Sequence, residues 1–328
     1  MNATRKLLVI LNPVAGKGKA GQRQPEIERL MAERGLVFDL RLTECPGHAI
    51  EIAAAACDDG YDVIVAAGGD GTVNEVVNGM MAARLARHSA SASGPALGVL
   101  SVGRGNDFCY GADLPGTLVE CVDVLARDKR RPLDVGLIKG GDYPNGKHFA
   151  NGIGVGFDTI VGLEAAKLRH VHGFLAYVIG ALRTFVMYPE APEIRISWED
   201  TVVEQASHQI SIMNGKRMGG TFFMAPDAEN HDGRLELCMA GRMNRREMLA
   251  LMARYTKGTQ AGHPRIRTGG SSRFMIEAPN GGLIVHADGE TICTDGHSLE
   301  VACLPGALSI VCEPGRVASQ RAARHSAT

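Results

Sequence analysis

Apolar and polar positions divide the first third of the chain into short strands and longer helices. Lys6–Leu11 (KLLVIL), Asp62–Ala67 (DVIVAA) and Ala96–Val102 are nearly unbroken apolar runs, the mark of strands buried on both faces. Val37–Leu42 (VFDLRL) reads as a further strand. Between them, Glu26–Arg34 carries Ile27, Leu30 and Met31 at helical spacing behind Pro25, Ala49–Asp58 is Ala-rich, and Val73–Ala86 is helical. Strands alternating with helices at these lengths predict βαβ units and a parallel sheet. Beyond Asp107 the pattern changes. A helix over Thr117–Ala126 leads into the charged run Arg127–Arg131 and then into short strands. These lie at Asp134–Lys139, His148–Val155, Glu193–Trp198, His208–Asn214, Arg234–Met239, Arg273–Glu277, Gly282–Ala287 and Ser298–Cys303. They predict a mainly antiparallel second domain, interrupted by helices near Ile160–Met187 and Arg245–Thr256. The expected division is an α/β domain over 1–131 with 304–313 as its candidate completion, a β-rich domain over 132–303, and a disordered polar tail over 314–328.

Composition narrows the class. A chain of 328 residues has ample volume for a buried core. Its 35 Lys+Arg against 36 Asp+Glu leave a net charge of −1, which removes the simplest argument for a nucleic-acid partner or a polybasic anchor. The longest uncharged apolar stretch, Gly173–Leu182, is far shorter than the roughly 20 residues of a spanning helix. The N-terminal apolar run is too short for a secretory signal, and the eight cysteines contain no CxxC pair, so they read as reduced thiols. The expectation is a cytoplasmic protein that can still touch a membrane; a homodimer stays open.

The 41 glycines exceed the usual share of roughly 7% and gather just beyond the first, third and fourth strands. Open α/β sheets bind ligands at that edge. The sharpest string is Gly68-Gly69-Asp70-Gly71-Thr72-Val73-Asn74-Glu75. Its glycines let backbone N–H groups approach phosphate oxygens, and Thr72 is placed to cap the next helix, whose N-terminus favours an anion. Asp70 would repel phosphate unless a divalent cation lies between them, which points to a Mg²⁺–nucleotide. Gly103-Arg104-Gly105-Asn106-Asp107-Phe108 brings a second acid to the same edge, and Asp134 is a third candidate.

Gly16-Lys17-Gly18-Lys19-Ala20-Gly21 fits GxGxxG, with Asp39 about 20 residues on. Asp39 falls inside its strand, however, and the helix is expected only from Pro25. No Ser or Thr follows Lys17 or Lys19, which excludes a Walker A loop. A phosphate-contacting turn of another kind is the better reading: Asn12, Pro13 and Gly16 shape it and Lys17 or Lys19 supplies charge. A solvated basic turn is the plain alternative. In the second domain, Asp288-Gly289-Glu290 by itself reads as a solvated hairpin, and the loop Pro226–Gly233 as a cation site through Asp232 or as an Asx-type turn. His170 and His172 have the wrong spacing for one helical face. Phe174–Tyr188 is a broad apolar face, read as core or as a wall for an acyl chain.

The strings LNPVAGKGK, AAGGDGTVNEVVNG, VGRGNDF, LDVG, FANGIGVGFD, APDAENHDGRLEL and DGE resemble, in this order, the diacylglycerol kinase catalytic-domain family, and in particular its bacterial stand-alone lipid kinases. The resemblance runs from Lys6 to Pro314. It implies a phosphofructokinase-like α/β domain, then a β-sandwich-type domain, with ATP in the cleft and a lipid acceptor at the membrane surface. By motif, Asn12, Pro13, Val14, Ala15, Gly16, Thr43, Gly68, Gly69, Asp70, Gly71, Thr72, Asn74 and Glu75 would contact ATP, with Asn106 and Asp107 beside them. Glu290 would be the proton acceptor, with Asp288 next to it and Asp70 closest to the Mg²⁺-bridged phosphates. Glu229, Asp232 and Arg234 would form a Mg²⁺ loop, Glu229 and Arg234 through backbone oxygens. Arg104 stands where many bacterial members carry Thr, so charge replaces a hydroxyl there. GGDGT is shared with NAD kinases; a soluble dinucleotide as acceptor and a non-catalytic binder are the alternatives, and an oxidoreductase is the weakest.

Overall fold

Strands that are apolar on both faces need a helical layer on each side, and the first of two compact units is built this way. The structure, a computed structural model, describes residues 5–87, 94–103, 105–168 and 174–313. Arg104, His170, His172, the tail 314–328 and the side chains of Phe174, Leu175 and Tyr177 lie outside the described residues. One unit takes the chain up to Val135, Glu229–Asp232 and the chain from Pro305; the other takes Gly136–Ala228 and Gly233–Leu304.

The first unit contains β1 (Lys6–Leu11), α1 (Lys19–Gln22), α2 (Gln24–Glu33), β2 (Val37–Leu42), α3 (His48–Ala56), β3 (Val63–Gly68), α4 (Asp70–Ala86), β4 (Ala96–Ser101), α5 (Asp107–Gly111) and α6 (Leu118–Arg127). The strands pair in parallel in the order β4-β3-β1-β2, and Ile310 adds a parallel contact at Leu97. Leu7, Val9 and Leu11 share a core with Ile27, Leu30 and Met31 of α2 and Leu118, Val122 and Leu125 of α6. α3 and α4 pack together so closely that a Cβ on Gly79 would lie 2.3 Å from the Ile50 carbonyl oxygen.

The second unit contains β5 (Arg130–Gly140, entering from the first unit), β6 (Tyr143–Phe149), β7 (Gly152–Gly156), α7 (Phe157–Ala166), α8 (Phe174–Met187), β8 (Glu193–Trp198), β9 (Thr201–Met213), β10 (Leu235–Gly241), α9 (Arg245–Tyr255), β11 (Ile266–Ser271), β12 (Arg273–Glu277), β13 (Leu283–Ala287), β14 (Glu290–Gly296) and β15 (Ser298–Val311, whose residues from Pro305 on belong to the first unit). The long strand β9 is shared by two antiparallel layers, β14-β13-β7-β9-β10-β11 and β9-β8-β12-β15. Their inner faces share one core, with Ile153, Ile210, Ile212 and Val285 from one and Ile194, Ile196, Phe274 and Val301 from the other. The expected fold class, an α/β domain followed by a β-sandwich-type domain, is the observed one.

Three local expectations are corrected. The run expected as one strand at His148–Val155 is two, β6 and β7, broken at Ala150 and Asn151. A short helical turn, α1, begins at Lys19, ahead of the helix expected at Pro25. The helix after β3 starts at Asp70 with Gly69 as its cap, so Thr72 lies inside the helix and does not cap it.

Candidate functional site

Parallel strands deliver all their C-terminal ends to one edge, and the glycine turns of the first unit meet there. A Cβ on Gly103 would lie 2.4 Å from the Gly69 Cα, so the turns after β3 and β4 touch backbone to backbone. A Cβ on Gly68 would lie 2.3 Å from Thr72 Oγ1. That hydroxyl accepts a hydrogen bond from Asn12 Nδ2 at 3.1 Å, which ties the turn after β1 to α4. Asn12 Oδ1 accepts from the Val14 N–H at 3.2 Å, and the chain then runs through Gly16, Lys17 and Gly18, all at positive φ. Val14 is 74% exposed, beside Pro13 and the half-buried Ala15. Thr43 is buried and donates its N–H to the Leu11 carbonyl at 3.0 Å.

Asp70 begins α4, where an acid complements the helix dipole. Its Oδ1 accepts from the Phe108 N–H at 3.0 Å. Burial pushes the carboxyl up from its ordinary value, opposed by the backbone N–H groups of Phe108, Asp107 and Asn106. A Cβ on Gly105 would sit 2.9 Å from Asp70 Oδ2, so only glycine leaves room at that oxygen. Asn106 takes the left-handed conformation as the cap of α5, and Asp107 is buried in its first turn. Asn74 is buried and accepts from Asn78 Nδ2 at 2.9 Å. Glu75 supports the neighbouring helix, because its two oxygens accept the Gly47 and Ala49 N–H groups at 3.0 and 3.2 Å and hold the start of α3. Asp39 sits mid-strand and accepts from the Tyr61 hydroxyl at 2.6 Å with Lys6 Nζ at 3.1 Å; these contacts hold its carboxyl below its ordinary value. Asp134 is buried with Oδ1 accepting from the Gly306 N–H at 2.7 Å, and its own N–H donates to the Asn230 carbonyl.

The Gly69–Gly103 approach gives a first expectation. Gly103→Ala forces backbone against backbone, which costs about 1–3 kcal/mol as overpacking does elsewhere. We expect a lowered thermal midpoint by calorimetry; a variant with the wild-type midpoint would show that the two turns are not a rigid pair.

In the second unit, Asp288 and Gly289 both have positive φ and close the β13–β14 hairpin between Ala287 and Glu290. This is the two-residue turn that Asp-Gly favours. Its acid is not directed to solvent. Asp288 accepts from the N–H groups of Ala150 at 2.6 Å, Asn151 at 3.1 Å and Gly152 at 2.8 Å. The break between β6 and β7 is therefore held by a carboxylate more than a hundred residues away. Asn214 Nδ2 donates to the Ala150 carbonyl at 2.8 Å and braces the same segment. Glu290, half-exposed, receives Lys147 Nζ at 2.5 Å on Oε2, and Lys147 also lies 5.0 Å from the Tyr143 ring centre. Sequence reasoning missed Lys147, Asn151 and Asn214; of these only Asn151 lay in a quoted motif.

Glu229 lies 4.0 Å from His231, and Asp232 is exposed. Arg234 belongs to the other unit, where it donates to Glu199 at 3.3 Å and to the Gly270 carbonyl. Among the described residues no group of three His, Cys, Asp or Glu side chains is placed to hold a metal ion by itself.

An apolar recess opens in the second unit, lined by Phe157, Val161, Phe222, Met224, Met248 and Met252 and enclosing about 430 Å³ of empty space, part of it open to solvent. Asp158, Gln209 and Tyr255 add its polar atoms. Ala181 of α8 lines it as well, while Phe185 and Tyr188 pack on the adjoining core. Both readings of the Phe174–Tyr188 face thus have residues behind them. No described helix is long and apolar enough to cross a membrane.

Residues 6–138 match the diacylglycerol kinase catalytic domain, and residues 151–312 match the YegS C-terminal NAD kinase beta sandwich-like domain. A diacylglycerol kinase of Staphylococcus haemolyticus is 30% identical over 79% of this chain and 74% of its own length. One from Staphylococcus saprophyticus is 29% identical over 80% of this chain and 81% of its own. A crystal structure of a diacylglycerol kinase from Bacillus anthracis superposes with a TM-score of 0.69 at 19% identity, covering 96% of this chain and 98% of that one. An NAD kinase from Archaeoglobus fulgidus in complex with ATP gives a TM-score of 0.51 at 12% identity, covering 98% and 99%.

Proposed function

Because the chain belongs to the diacylglycerol kinase catalytic-domain family, we propose that it transfers the γ-phosphoryl group of ATP to the hydroxyl of diacylglycerol or a similar lipid. The observation that carries this reading is the contact of two glycine turns around the half-buried Asp70 at the carboxyl edge of the parallel sheet. Backbone N–H groups and the α4 N-terminus at such an edge suit phosphate oxygens. Asn12–Gly16, Thr43, Gly68–Asn74, Arg104, Asn106 and Asp107 are the residues we assign to ATP, with Glu75 supporting them through α3.

The space that Gly105 leaves at Asp70 Oδ2 fits a hard cation, which takes one or two carboxylates and completes its shell with phosphate oxygens and water. Asp70 would hold Mg²⁺ there, and Asp232 with the Glu229 and Arg234 carbonyls would hold a second, supporting ion. Bound in this way, Mg²⁺ supplies neutralisation of phosphate charge. Phosphoryl transfer then asks little covalent chemistry of the chain. The lipid hydroxyl gives its proton to Glu290 as its oxygen bonds to the γ-phosphorus and the bond to the bridging oxygen of ADP breaks. Lys147 orients the Glu290 carboxylate. Asp288 is assigned to holding the turn, since its oxygens are spent on backbone N–H groups.

The apolar recess supports a lipid over a soluble acceptor, although the NAD-kinase fold likeness keeps a dinucleotide as the second reading. Peripheral membrane contact is supported by α8, where Leu182 is 61% and Val186 73% exposed one turn apart. Arg183, Arg242, Arg245 and Arg246 are exposed along α8 and around the start of α9. Burying two such side chains is worth about 1.5–3 kcal/mol each. We expect the Leu182→Glu/Val186→Glu variant to bind anionic phospholipid vesicles at least about tenfold more weakly in sedimentation; equal binding would remove α8 from the membrane contact. The activity itself is tested with γ-labelled ATP over diacylglycerol, monoacylglycerol, ceramide, sphingosine and NAD⁺. Label in a lipid is expected, and label in NAD⁺ alone would replace this reading with the second.

A further inference from the structure

One polar pair in the second unit is left over from the chemistry assigned so far. Asp158 lies in the first turn of α7, on the wall of the apolar recess. Its Oδ1 accepts from the Thr159 N–H at 2.7 Å, but its Oδ2 is buried with no hydrogen-bond donor, and the side chain is only 8% exposed. The nearest charge partner is His286 Nε2, at 3.5 Å. The two atoms converge over Gly154, which faces His286 across the β7–β13 pairing. A Cβ on Gly154 would lie 2.1 Å from Asp158 Oδ2 and 2.5 Å from His286 Nε2, so this glycine makes the space in which they meet.

On the other side of the ring, His286 Nδ1 accepts from the Gly289 N–H at 3.3 Å. A backbone N–H can only donate, so Nδ1 must carry the lone pair and the ring proton sits on Nε2, the nitrogen that lies 3.5 Å from Asp158 Oδ2 without a hydrogen bond between them. The ring thus joins a carboxylate on the recess wall to the middle residue of Asp288-Gly289-Glu290. Asp288 fixes the turn from within, through Ala150, Asn151 and Gly152. His286 fixes its tip.

We propose that Asp158 and His286 are positioning residues that set the Asp288–Glu290 turn from the wall of the apolar recess. Neither touches the reacting atoms in this scheme. Asp158 selects the tautomer and orientation of His286, and His286 holds the Gly289 N–H and with it the approach of Glu290. The kinetic form of the proposal rests on the lipid-kinase reading; its spectroscopic form does not.

The kinetic test compares His286→Asn, His286→Gln and Asp158→Asn in diacylglycerol micelles. Gln reaches toward Asp158 but offers no acceptor at the Nδ1 position. Asn at 158 turns an amide donor toward a ring that is itself donating. Small misplacements of a reacting group cost one to two orders of magnitude, so both variants should lose about tenfold or more in kcat with KM held within about twofold. His286→Asn, which keeps an oxygen near the Nδ1 position, should restore most of that loss. In the Asp158→Asn/His286→Gln double variant the losses should not multiply. Wild-type kcat in both single variants, a loss wholly in KM, or multiplying losses would overturn the relay.

The second measurement is ¹⁵N resonance of the histidine rings at neutral pH, with the His286 signals assigned by their disappearance from His286→Asn. The wild type should show a bare Nδ1 and a protonated Nε2, and Asp158→Asn should lose that bias. A proton on Nδ1 in the wild type, or an unchanged ring in Asp158→Asn, would overturn the relay whatever the kinetics. If the wild type phosphorylates no lipid, the kinase reading falls while the ring tautomer still decides this one.

Discussion

Asp288→Ala is expected to unfold at a markedly lower temperature and to lose at least about two orders of magnitude in turnover. Three backbone N–H groups at the break between β6 and β7 donate to this one carboxylate. Hydrogen bonds to a charged group are worth about 1.5–3 kcal/mol each, and a buried donor left without its acceptor bears its desolvation cost in full. The residue also sits at φ 47°, which Asp tolerates better than Ala. A loss of about 3–5 kcal/mol follows, because the contributions are not additive. That corresponds to roughly 10 °C in a unit of this size. Asp288→Asn keeps one accepting oxygen and should fall between. Scanning calorimetry checks the order wild type, Asn, Ala. If Asp288→Ala melts with the wild type, the carboxylate does not hold the break, and its use as a proton acceptor returns.

Asp70→Asn should separate stability from activity. Burial raises the Asp70 carboxyl above its ordinary value of 3.8, so folding favours the protonated form. That contribution is full below pH 3.8 and is lost as the pH rises through the raised value. At neutral pH the ionised carboxylate is therefore a cost to the fold, and the neutral amide removes it. Asn can still accept from the Phe108 N–H. We expect a thermal midpoint at pH 7 no lower than that of the wild type, and an advantage over it that shrinks as the pH is taken toward 4. Turnover should fall by about a hundredfold or more, the usual scale when a group that stabilises transition-state charge is removed. A variant that is both inactive and unstable at neutral pH would mean that Asp70 is structural.

The two halves of the molecule are unequally legible in the sequence. Buried parallel strands announce themselves as continuous apolar runs, so β1, β3 and β4 are readable, and the parallel topology then requires their glycine turns to meet. The helix start misleads because Thr72 is a good capping residue in isolation; the close Gly68 turn and Asn12 claim its hydroxyl instead. β11 (IRTGGS) and β14 (ETICTDG) lack alternation. In β11 the reason is visible: Gly269 lies under Trp198, whose ring would meet a Cβ at 3.0 Å. The break at Ala150 and Asn151 has no local signature because its cause, Asp288, arrives from far along the chain. Lys147 is unreadable for the same reason. A lone lysine in a hairpin is ordinary until β14 brings Glu290 to it.

The most direct measurement is the initial rate of label transfer from γ-labelled ATP to diacylglycerol by the wild type beside Glu290→Gln. The wild type should label the lipid, and Glu290→Gln should be slower by about a hundredfold or more, with its KM for ATP unchanged, as the proposed role of Glu290 as proton acceptor requires. A wild type that labels no lipid, or a Glu290→Gln variant that keeps pace with it, would contradict the assignment.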